Sequence, residues 1–375
     1  MKKVLNYKKW VILFAVFATM FIGFIGVVNF VVDPYGLNQL ISIKKFNTNK
    51  FSNEKVITRF KLISLVENNF NAIMLGTSRT GVMDPSIVDK YLQAKTYNIS
   101  FPGSNLDMQN KLFLYAHHFN KNIKYLVYGI DFMAFNQNRD KKEFPEFYEL
   151  EDKIRKYEKI SKFNLYLNIK TFTYSILTIL GNIFNKPLEQ VYLKNGMLDY
   201  KNYIQQYNNG VYNFDQEAKM QMKGYFSKNG IYKNYKFSYD YLEYFKNIIQ
   251  FCQNNNIKVF VYIPPMFSDH FDALFSANLY DEFELFKKEL AKITNFVDFT
   301  GHNIISENKN NYWDSSHLKT ELTEVIMARI LDNKSVEVPK DFGVYVTKRN
   351  IEQHLDNLRK QIKHYDLNKT LNSVL

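Results

Sequence analysis

The sequence predicts an α/β protein with a five-stranded parallel sheet, preceded by one membrane-spanning helix. Two observations predict the sheet: five short apolar or β-branched runs, and the longer helical or loop segments that separate them. A third observation, an uncharged N-terminal run, predicts the spanning helix. The predicted strands are residues 72–75, 96–99, 125–130, 258–263 and 296–299.

The N-terminus is predicted to be a membrane anchor. Residues 11–32 carry no charge, and at about 1.5 Å per residue a helix of this length crosses a hydrocarbon core of about 30 Å. Lysines at positions 2, 3, 8 and 9 precede it, so the positive-inside bias keeps the N-terminus in the cytoplasm. A cleaved signal peptide is the alternative, but its apolar core is typically only about 7–15 residues. We expect residues 1–35 to be a cytoplasmic basic tip and an uncleaved anchor in the cytoplasmic membrane, with the remaining chain periplasmic or extracellular.

Composition limits the chemistry. The chain has 375 residues and a net charge of +12, but its basic residues are spread among Asn and Tyr, so nucleic-acid binding is disfavoured and export would exclude it. Cys252 is the single cysteine, which rules out an intramolecular disulfide and a cysteine-based metal centre. No glycine-rich phosphate-binding motif occurs. We therefore expect neither a nucleotide cofactor nor a metal.

The sequence also predicts how the exported part is organised. Residues 36–335 are expected to form the α/β domain, and residues 336–375 a charged tail with a solvated helical stretch at 348–367. The segment 136–240 exceeds an ordinary crossover, so we interpret it as a partly helical insertion. It either flanks the ligand site or merely packs on the sheet. The apolar stretch 171–184 within it is too short to span and predicts an amphipathic helix on the domain.

Residues that follow parallel strands meet at one edge of the sheet, and three of them suggest acyl chemistry. Ser78 follows the first predicted strand in a Gly-Thr-Ser-Arg turn, and Asp314 and His317 follow the fifth, near a helix predicted over 319–331. Acyl transfer through serine needs a hydroxyl, an imidazole, an orienting carboxylate and N–H donors for the oxyanion. The spacing of three lets Asp314 reach Nδ1 of His317 while Nε2 faces Ser78. Each motif alone is also typical of a helix cap or a solvent-facing histidine.

These residues resemble the motifs of the SGNH (GDSL-like) hydrolase superfamily. The resemblance rests on Gly76-Thr77-Ser78, on Gly103 at the end of 98–103 and on Asp314-Ser315-Ser316-His317, and it spans about 71–331 without the insertion. It implies a flavodoxin-like three-layer sandwich in which Ser78 is the nucleophile, His317 the base and Asp314 its orienting partner. The N–H groups of Ser78 and Gly103 would bind the oxyanion.

The third motif departs from the family. SGNH members commonly have Gly-x-Asn-Asp, whereas this chain has Gly129-Ile130-Asp131, and an ionised Asp131 cannot donate to an oxyanion. Either Asn105 or Arg79 supplies the third donor, or the oxyanion hole is weaker, and Arg79 and Asp131 are also candidate substrate contacts. Variants of this kind are similar to membrane-anchored proteins of surface-polysaccharide O-acetylation and teichoic-acid D-alanylation.

That similarity implies an acyltransferase or esterase acting on acetyl or a similar acyl group of a cell-surface glycan, with a multi-span membrane acyltransferase as a partner. The alternative is a non-catalytic SGNH-fold scaffold that binds glycan or organises a membrane acylation complex.

The other histidines give weaker signals. His117 and His118 are adjacent, so on a helix they point about 100° apart and do not form a metal-binding pair. His270, beside Asp269, and His302 are candidate rim residues of the site.

Overall fold

The computed structural model describes residues 7–38, 40–51, 56–139, 143–185 and 192–373, and the chain divides into two compact units. The N-terminal unit draws on Met1–Ser64 and Lys159–Lys194, and the sheet unit on Leu65–Glu158 and Asn195–Leu375. Part of the predicted insertion is therefore grouped with the N-terminal helix, and the C-terminal tail is grouped with the sheet.

The sheet unit is built on a six-stranded, mostly parallel sheet in the order β2-β1-β3-β4-β5-β6. The strands are β1 Ala72–Leu75, β2 Thr96–Asn98, β3 Tyr125–Gly129, β4 Lys258–Ile263, β5 Phe296–Asp298 and β6 Val344–Val346. The first five pair in parallel, and β6 pairs antiparallel with β5. The five predicted strands are confirmed to within one residue at each end, but the expected strand number was one too low.

Helices separate most of the strands, and several begin at a side-chain cap. Asn105 accepts a hydrogen bond from the Met108 N–H at the start of the fifth helix, and Ser238 accepts one from Tyr241 at the start of the eleventh. The helices are α1 Tyr7–Val32, α2 Ile57–Glu67, α3 Ser78–Gly81, α4 Pro85–Leu92, α5 Leu106–Phe119, α6 Pro145–Arg155, α7 Phe163–Tyr166, α8 Ile169–Ile183, α9 Lys201–Asn208, α10 Phe214–Phe226, α11 Tyr239–Asn254, α12 Ser268–Ser276, α13 Tyr280–Ile293, α14 Thr323–Ile330, α15 Ile351–Gln361 and α16 Leu367–Asn372.

The sixth strand lies in the tail that was expected to be a solvated helical extension. β6 is three residues long, and of these only Val346 is buried, so neither an apolar run nor an alternation is long enough to reveal it. The tail helix α15 is shorter than predicted and buries Ile351, Leu355 and Leu358. The tail therefore completes one edge of the sheet.

The strand order reverses at β1, which has β2 on one side and β3 on the other. Loops that leave two such strands diverge, and a crevice opens at the carboxyl edge of the sheet between them. Gly76 follows β1, and a Cβ atom at this position would lie 2.6 Å from the carbonyl oxygen of Gly129 at the end of β3. Glycine at position 76 thus allows the two strand ends to approach closely beside this crevice.

In the N-terminal unit, α1 has 26 residues, and its length and apolar composition would allow it to cross a membrane. Its most apolar stretch is almost entirely exposed, whereas the core helix of a soluble protein would be largely buried. Of the chain's described helices, α1 alone passes this test of length and composition. The second apolar stretch forms α8, which is amphipathic as predicted but is grouped with α1 and not with the sheet.

A buried ionic cluster joins β5 to the two helices α13 and α15. The Lys287 ammonium lies 2.7 Å from Asp298, and the His354 Nε2 lies 2.8 Å from the same carboxylate. Burial by itself would raise the pKa of Asp298, but Lys287 and His354 hold it well below its usual value. The paired carboxylate therefore stabilises the folded sheet unit at neutral pH.

Replacing Lys287 with Met should leave the Asp298 carboxylate buried without its ammonium partner. We expect the free energy of unfolding to fall by about 3–5 kcal/mol at neutral pH, because an unpaired buried charge is costly. Since the folded-state pKa of Asp298 is depressed, its stabilisation is present above the unfolded pKa of about 3.9 and is lost as the pH falls towards the folded value. The difference in free energy of unfolding between the variant and the wild type should therefore become smaller below about pH 4. Thermal unfolding of the full chain at several pH values measures it.

The matched control is Lys288→Met, since Lys288 is the next residue but forms an exposed pair with Glu352. This variant should lose less than about 1 kcal/mol. Equal losses in the two variants would contradict the assignment of stability to the buried cluster.

Candidate active site

Ser78 stands on a tight turn directly after β1. Thr77 caps the short helix α3, and its hydroxyl accepts a 3.4 Å hydrogen bond from the Arg79 N–H. The first N–H groups of a helix have no acceptor within the helix, so the N–H of Ser78 is available to an anion. Ser78 is largely buried, at 9% exposure, at the carboxyl edge of the sheet.

His317 lies on a small hairpin, near the start of a helical stretch as predicted. Tyr312 and Leu318 form an isolated antiparallel bridge, and the Trp313 N–H donates to the His317 carbonyl at 2.9 Å. The helix itself begins six residues later, at Thr323. The hairpin holds Asp314 and His317 in a fixed relation because both side chains lie within its closed loop.

The structure brings Ser78, His317 and Asp314 into one hydrogen-bonded relay. The Nε2 atom of His317 lies 2.8 Å from the Ser78 Oγ, across 239 residues of sequence. The Nδ1 atom lies 2.7 Å from the Asp314 Oδ2. These are the contacts expected of a nucleophile, its base and the carboxylate that fixes the tautomer of the base.

The carboxylate of Asp314 is buried and accepts hydrogen bonds from the protein backbone. Its Oδ1 accepts from the backbone N–H groups of Ser316 at 2.7 Å and His317 at 2.9 Å. Burial would raise the pKa of Asp314, but the His317 imidazole and these hydrogen bonds lower it below its usual value. Asp314 is therefore an anion at neutral pH, as a partner for an imidazolium must be.

Asp131 and Arg79 lie beside the serine but face each other. Arg79 Nη1 is 3.1 Å from the Asp131 Oδ1, and the Thr77 hydroxyl donates to the Asp131 Oδ2. Burial raises the pKa of Asp131, opposed by Arg79 and by the Thr77 hydrogen bond. The carboxylate thus ties together the two residues that flank Ser78, and neither charged group is exposed.

The two remaining predicted residues follow β2. Gly103 has a φ of +67°, and a Cβ there would lie 3.0 Å from the Arg139 guanidinium, so both conformation and space favour glycine. Asn105 caps α5, and its Nδ2 donates to the Tyr241 hydroxyl at 3.2 Å. Its amide is therefore engaged in the fold, and the geometry does not favour it as an oxyanion donor.

The predicted insertion lies beside the triad through residues of α9 and α10. Gln221 donates to the Ser316 Oγ at 3.0 Å, and Tyr212 donates to the Trp313 carbonyl, so the insertion braces the histidine hairpin from outside. Four tyrosines also surround Trp313 with ring centroids 5.5–6.5 Å away. We call this set the aromatic wall: Tyr200, Tyr203, Tyr207, Tyr212 and Trp313.

Sequence reasoning missed both the aromatic wall and the role of Thr77. The wall adjoins the chemistry directly, since the Tyr200 ring lies 5.9 Å from that of His317. Lys319 adds a cation 4.6 Å from the Trp313 ring. A cluster of tyrosines at 200–212 was visible in the sequence, but it resembled the tyrosine-rich background of the chain, where 27 tyrosines are spread along its length.

The other histidines have structural partners. His270 is fully buried, its Nδ1 is 3.2 Å from the Ser315 Oγ, and burial lowers its pKa well below the usual value. His302 Nε2 lies 3.0 Å from Asp272, and so His302 belongs to a polar cluster. Across the part of the chain that the structure describes, no group of three or more His, Cys, Asp or Glu is placed to hold a metal ion.

No protein-family model matches this chain, and no curated protein matches it.

The Asp131 carboxylate can be tested by Asp131→Asn, which keeps an oxygen for Thr77 but removes the charge opposite Arg79. We expect a loss of about 3–5 kcal/mol in the free energy of unfolding, because the guanidinium is left buried and unpaired. We also expect slower reaction of Ser78 with a fluorophosphonate, since Arg79, the residue after Ser78, loses its ion pair with Asp131. Thermal unfolding and the labelling rate of the full chain measure the two effects.

Asp215→Asn is the control, because Asp215 pairs with Lys309 on the exposed surface of the same unit. It should leave both measurements nearly unchanged. Wild-type stability and labelling in Asp131→Asn would show that the carboxylate does not hold the turn.

Proposed function

We propose that this protein is a membrane-anchored serine acyltransferase or esterase that transfers or removes a small acyl group, most simply acetyl, on a cell-surface glycan. The observation that carries the proposal is the relay of Ser78, His317 and Asp314, with both hydrogen bonds at 2.7–2.8 Å. The strand order 2-1-3-4-5 of the parallel part supports a flavodoxin-like, SGNH-type domain, since this is the order of that doubly wound sheet.

In the first half of the reaction, Ser78 forms the acyl-enzyme. Nε2 of His317 takes the hydroxyl proton as Oγ attacks the ester carbonyl, and a tetrahedral oxyanion forms. Asp314 stabilises the imidazolium through Nδ1. When the intermediate collapses, the bond to the leaving oxygen breaks, and His317 returns the proton to that oxygen.

In the second half, an acceptor hydroxyl takes the place of the leaving group. His317 removes its proton, the new oxygen attacks the acyl-serine, and Ser78 leaves with the proton returned from His317. Water as the acceptor gives an esterase, and a sugar hydroxyl gives a transferase. Which one reacts depends on how well the bound glycan excludes water from Ser78.

The oxyanion is best served by backbone donors. The Ser78 N–H opens α3, and Gly103 follows β2 at the same edge of the sheet, so these two remain the proposed donors. Asp131, Arg79 and Asn105 have partners in the fold. This shortage of side-chain donors favours a second candidate, a non-catalytic scaffold that retains the triad geometry but binds glycan without turning it over.

The aromatic wall supports a glycan as the acceptor. The Tyr200 ring lies beside His317, where the acceptor hydroxyl must give up its proton, and Tyr207, next to Trp313 in the same wall, is 54% exposed. Aromatic faces present broad apolar area at low entropic cost, which suits the apolar faces of sugar rings. Tyrosine hydroxyls at their edges add hydrogen-bond donors and acceptors.

The helix α1 supports attachment to the cytoplasmic membrane, with the N-terminus inside and the catalytic unit periplasmic or extracellular. An acyl donor for a reaction outside the cytoplasm must cross that membrane. A multi-span acyltransferase is the partner class that would deliver it, whereas no feature of the site calls for nucleic acid or a bound cofactor.

Fluorophosphonate labelling of the detergent-solubilised full chain tests the nucleophile. We expect a covalent label at Ser78, its loss in Ser78→Ala, and a labelling rate lower by about 10³–10⁴ in His317→Ala, with aryl-acetate turnover falling in parallel. Ser86→Ala removes an exposed serine of α4 and should label as the wild type does. A folded protein that neither labels nor turns over aryl acetate would favour the scaffold.

The aromatic wall is tested by Tyr207→Ala with an aryl acetate as donor and chitohexaose or xylohexaose as acceptor. We expect KM for a productive acceptor to rise about 2–10-fold, since one stacking contact is lost, while hydrolysis of the aryl acetate in the absence of glycan stays unchanged. Tyr239→Ala is the matched control, because Tyr239 is equally exposed at 57% but begins α11. If the KM for the acceptor is unchanged in Tyr207→Ala, the aromatic wall is not part of the acceptor site.

A further inference from the structure

The helix α8 is amphipathic in the reverse sense to a helix of a soluble domain. Its buried residues are mostly small or polar: Thr171, Tyr174, Ser175, Thr178, Gly181 and Asn182. Its exposed face is aliphatic, with Ile169 67% exposed and Ile183 49% exposed at its two ends. The other members of that face are Ile176, Leu177 and Leu180. A helix that turns polar groups inward and aliphatic groups outward suits an apolar solvent.

The polar face of α8 is satisfied within the N-terminal unit. The Ser175 hydroxyl donates to the Asn29 Oδ1 at 2.8 Å, and the Asn29 Nδ2 donates to the Tyr166 carbonyl at 2.6 Å. Asn182 exchanges hydrogen bonds with the backbone of Asn49 at 2.8 and 2.9 Å. Asn29 belongs to α1, so an otherwise costly amide of the apolar helix is paired by α8.

The exposed faces of α7 and α8 continue the apolar surface of α1. Phe172 of α8 lies 6.1 Å from Phe24, and a Cβ on Gly26 would lie 3.0 Å from the exposed Leu167. These contacts fall in the C-terminal half of α1. The aliphatic face of α8 therefore lies beside the C-terminal half of α1, near the membrane surface at which that half of α1 ends.

The charge of the chain is concentrated in the same unit. The N-terminal unit holds 15 Lys and Arg against 3 Asp and Glu, a net charge of +12, whereas the sheet unit holds 34 of each. The basic residues are dispersed over both units, as predicted, and the net charge of the N-terminal unit arises because that unit has so few acidic residues. Exposed lysines of this unit include Lys44, Lys45, Lys159 and Lys170, the last of which belongs to α8 itself. Anionic lipid headgroups attract such a surface.

We infer that α8 lies in the membrane interface beside α1, with its aliphatic face among the lipid acyl chains and the lysines of the N-terminal unit on anionic headgroups. At about 1.5 Å per residue its 15 residues reach about 22 Å, too short for a hydrocarbon core of about 30 Å, so it lies in the interface and does not cross. The inference rests on α1 spanning the membrane and is independent of the chemistry at Ser78.

Spin labelling of the full chain in phosphatidylcholine–phosphatidylglycerol vesicles tests this position. Single cysteines replace Leu180 on the α8 face, Phe17 in the middle of α1, and Gln353 on the exposed face of α15. Native Cys252 is buried, which raises its thiol pKa to about 12, so wild-type protein should remain unlabelled. Collisions of each label with oxygen, which enters lipid, and with a water-soluble nickel chelate are compared.

We expect the ratio of oxygen to chelate collisions at Leu180→Cys to exceed that at Gln353→Cys several-fold and to approach that at Phe17→Cys. A Leu180 label as open to the chelate as Gln353, with Phe17 still in lipid, would overturn the inference while retaining the anchor. Water access at both Leu180 and Phe17 would overturn the span as well. A Leu180 label shielded from both reagents, and released when the lipid-to-protein ratio is raised, would assign the face to a second copy of the chain and also overturn it.

Discussion

The carboxylate of Asp131 ties the serine turn to the end of β3, and the geometry of the site depends on that tie. It holds Thr77 and Arg79, the residues on either side of Ser78. Because the ion pair is buried, neither partner can be lost without leaving a charge in an apolar setting. The His317 imidazole comes from a different loop, so its hydrogen bond to Ser78 requires that the serine turn be held in position.

The sequence alone predicted those features that short stretches of residues determine, namely the parallel strands and the residues that follow them. The five parallel strands are mostly short apolar or β-branched runs, which a sequence shows directly. Ser78, Asp314 and His317 were selected by residue type and by their place after a strand. Asp131 was predicted to contact substrate. In the structure its carboxylate forms a buried ion pair with Arg79, a contact that the sequence pattern does not reveal. The aromatic wall and β6 could not be predicted, since each depends on contacts between distant segments that leave no periodicity behind.

The unequal net charges of the two units were also not visible from the sequence alone. Net charge computed over the whole chain describes neither unit: the sheet unit is neutral, and the N-terminal unit is strongly basic. The basic residues are spread over both units, and the difference in net charge arises because only 3 of the 37 acidic residues belong to the N-terminal unit. An electrostatic property of a protein surface becomes visible only when the fold has assembled it.

The relay joins Ser78 to a histidine 239 residues further along the chain. A ribosome adding about 5–20 residues per second needs on the order of 10–50 s to make that interval. During this time the nascent serine has no base and no orienting carboxylate. On the proposed function, the nucleophile would therefore stay inactive until the chain has grown past His317, and a chain truncated before Asp314 would lack both the base and its orienting carboxylate.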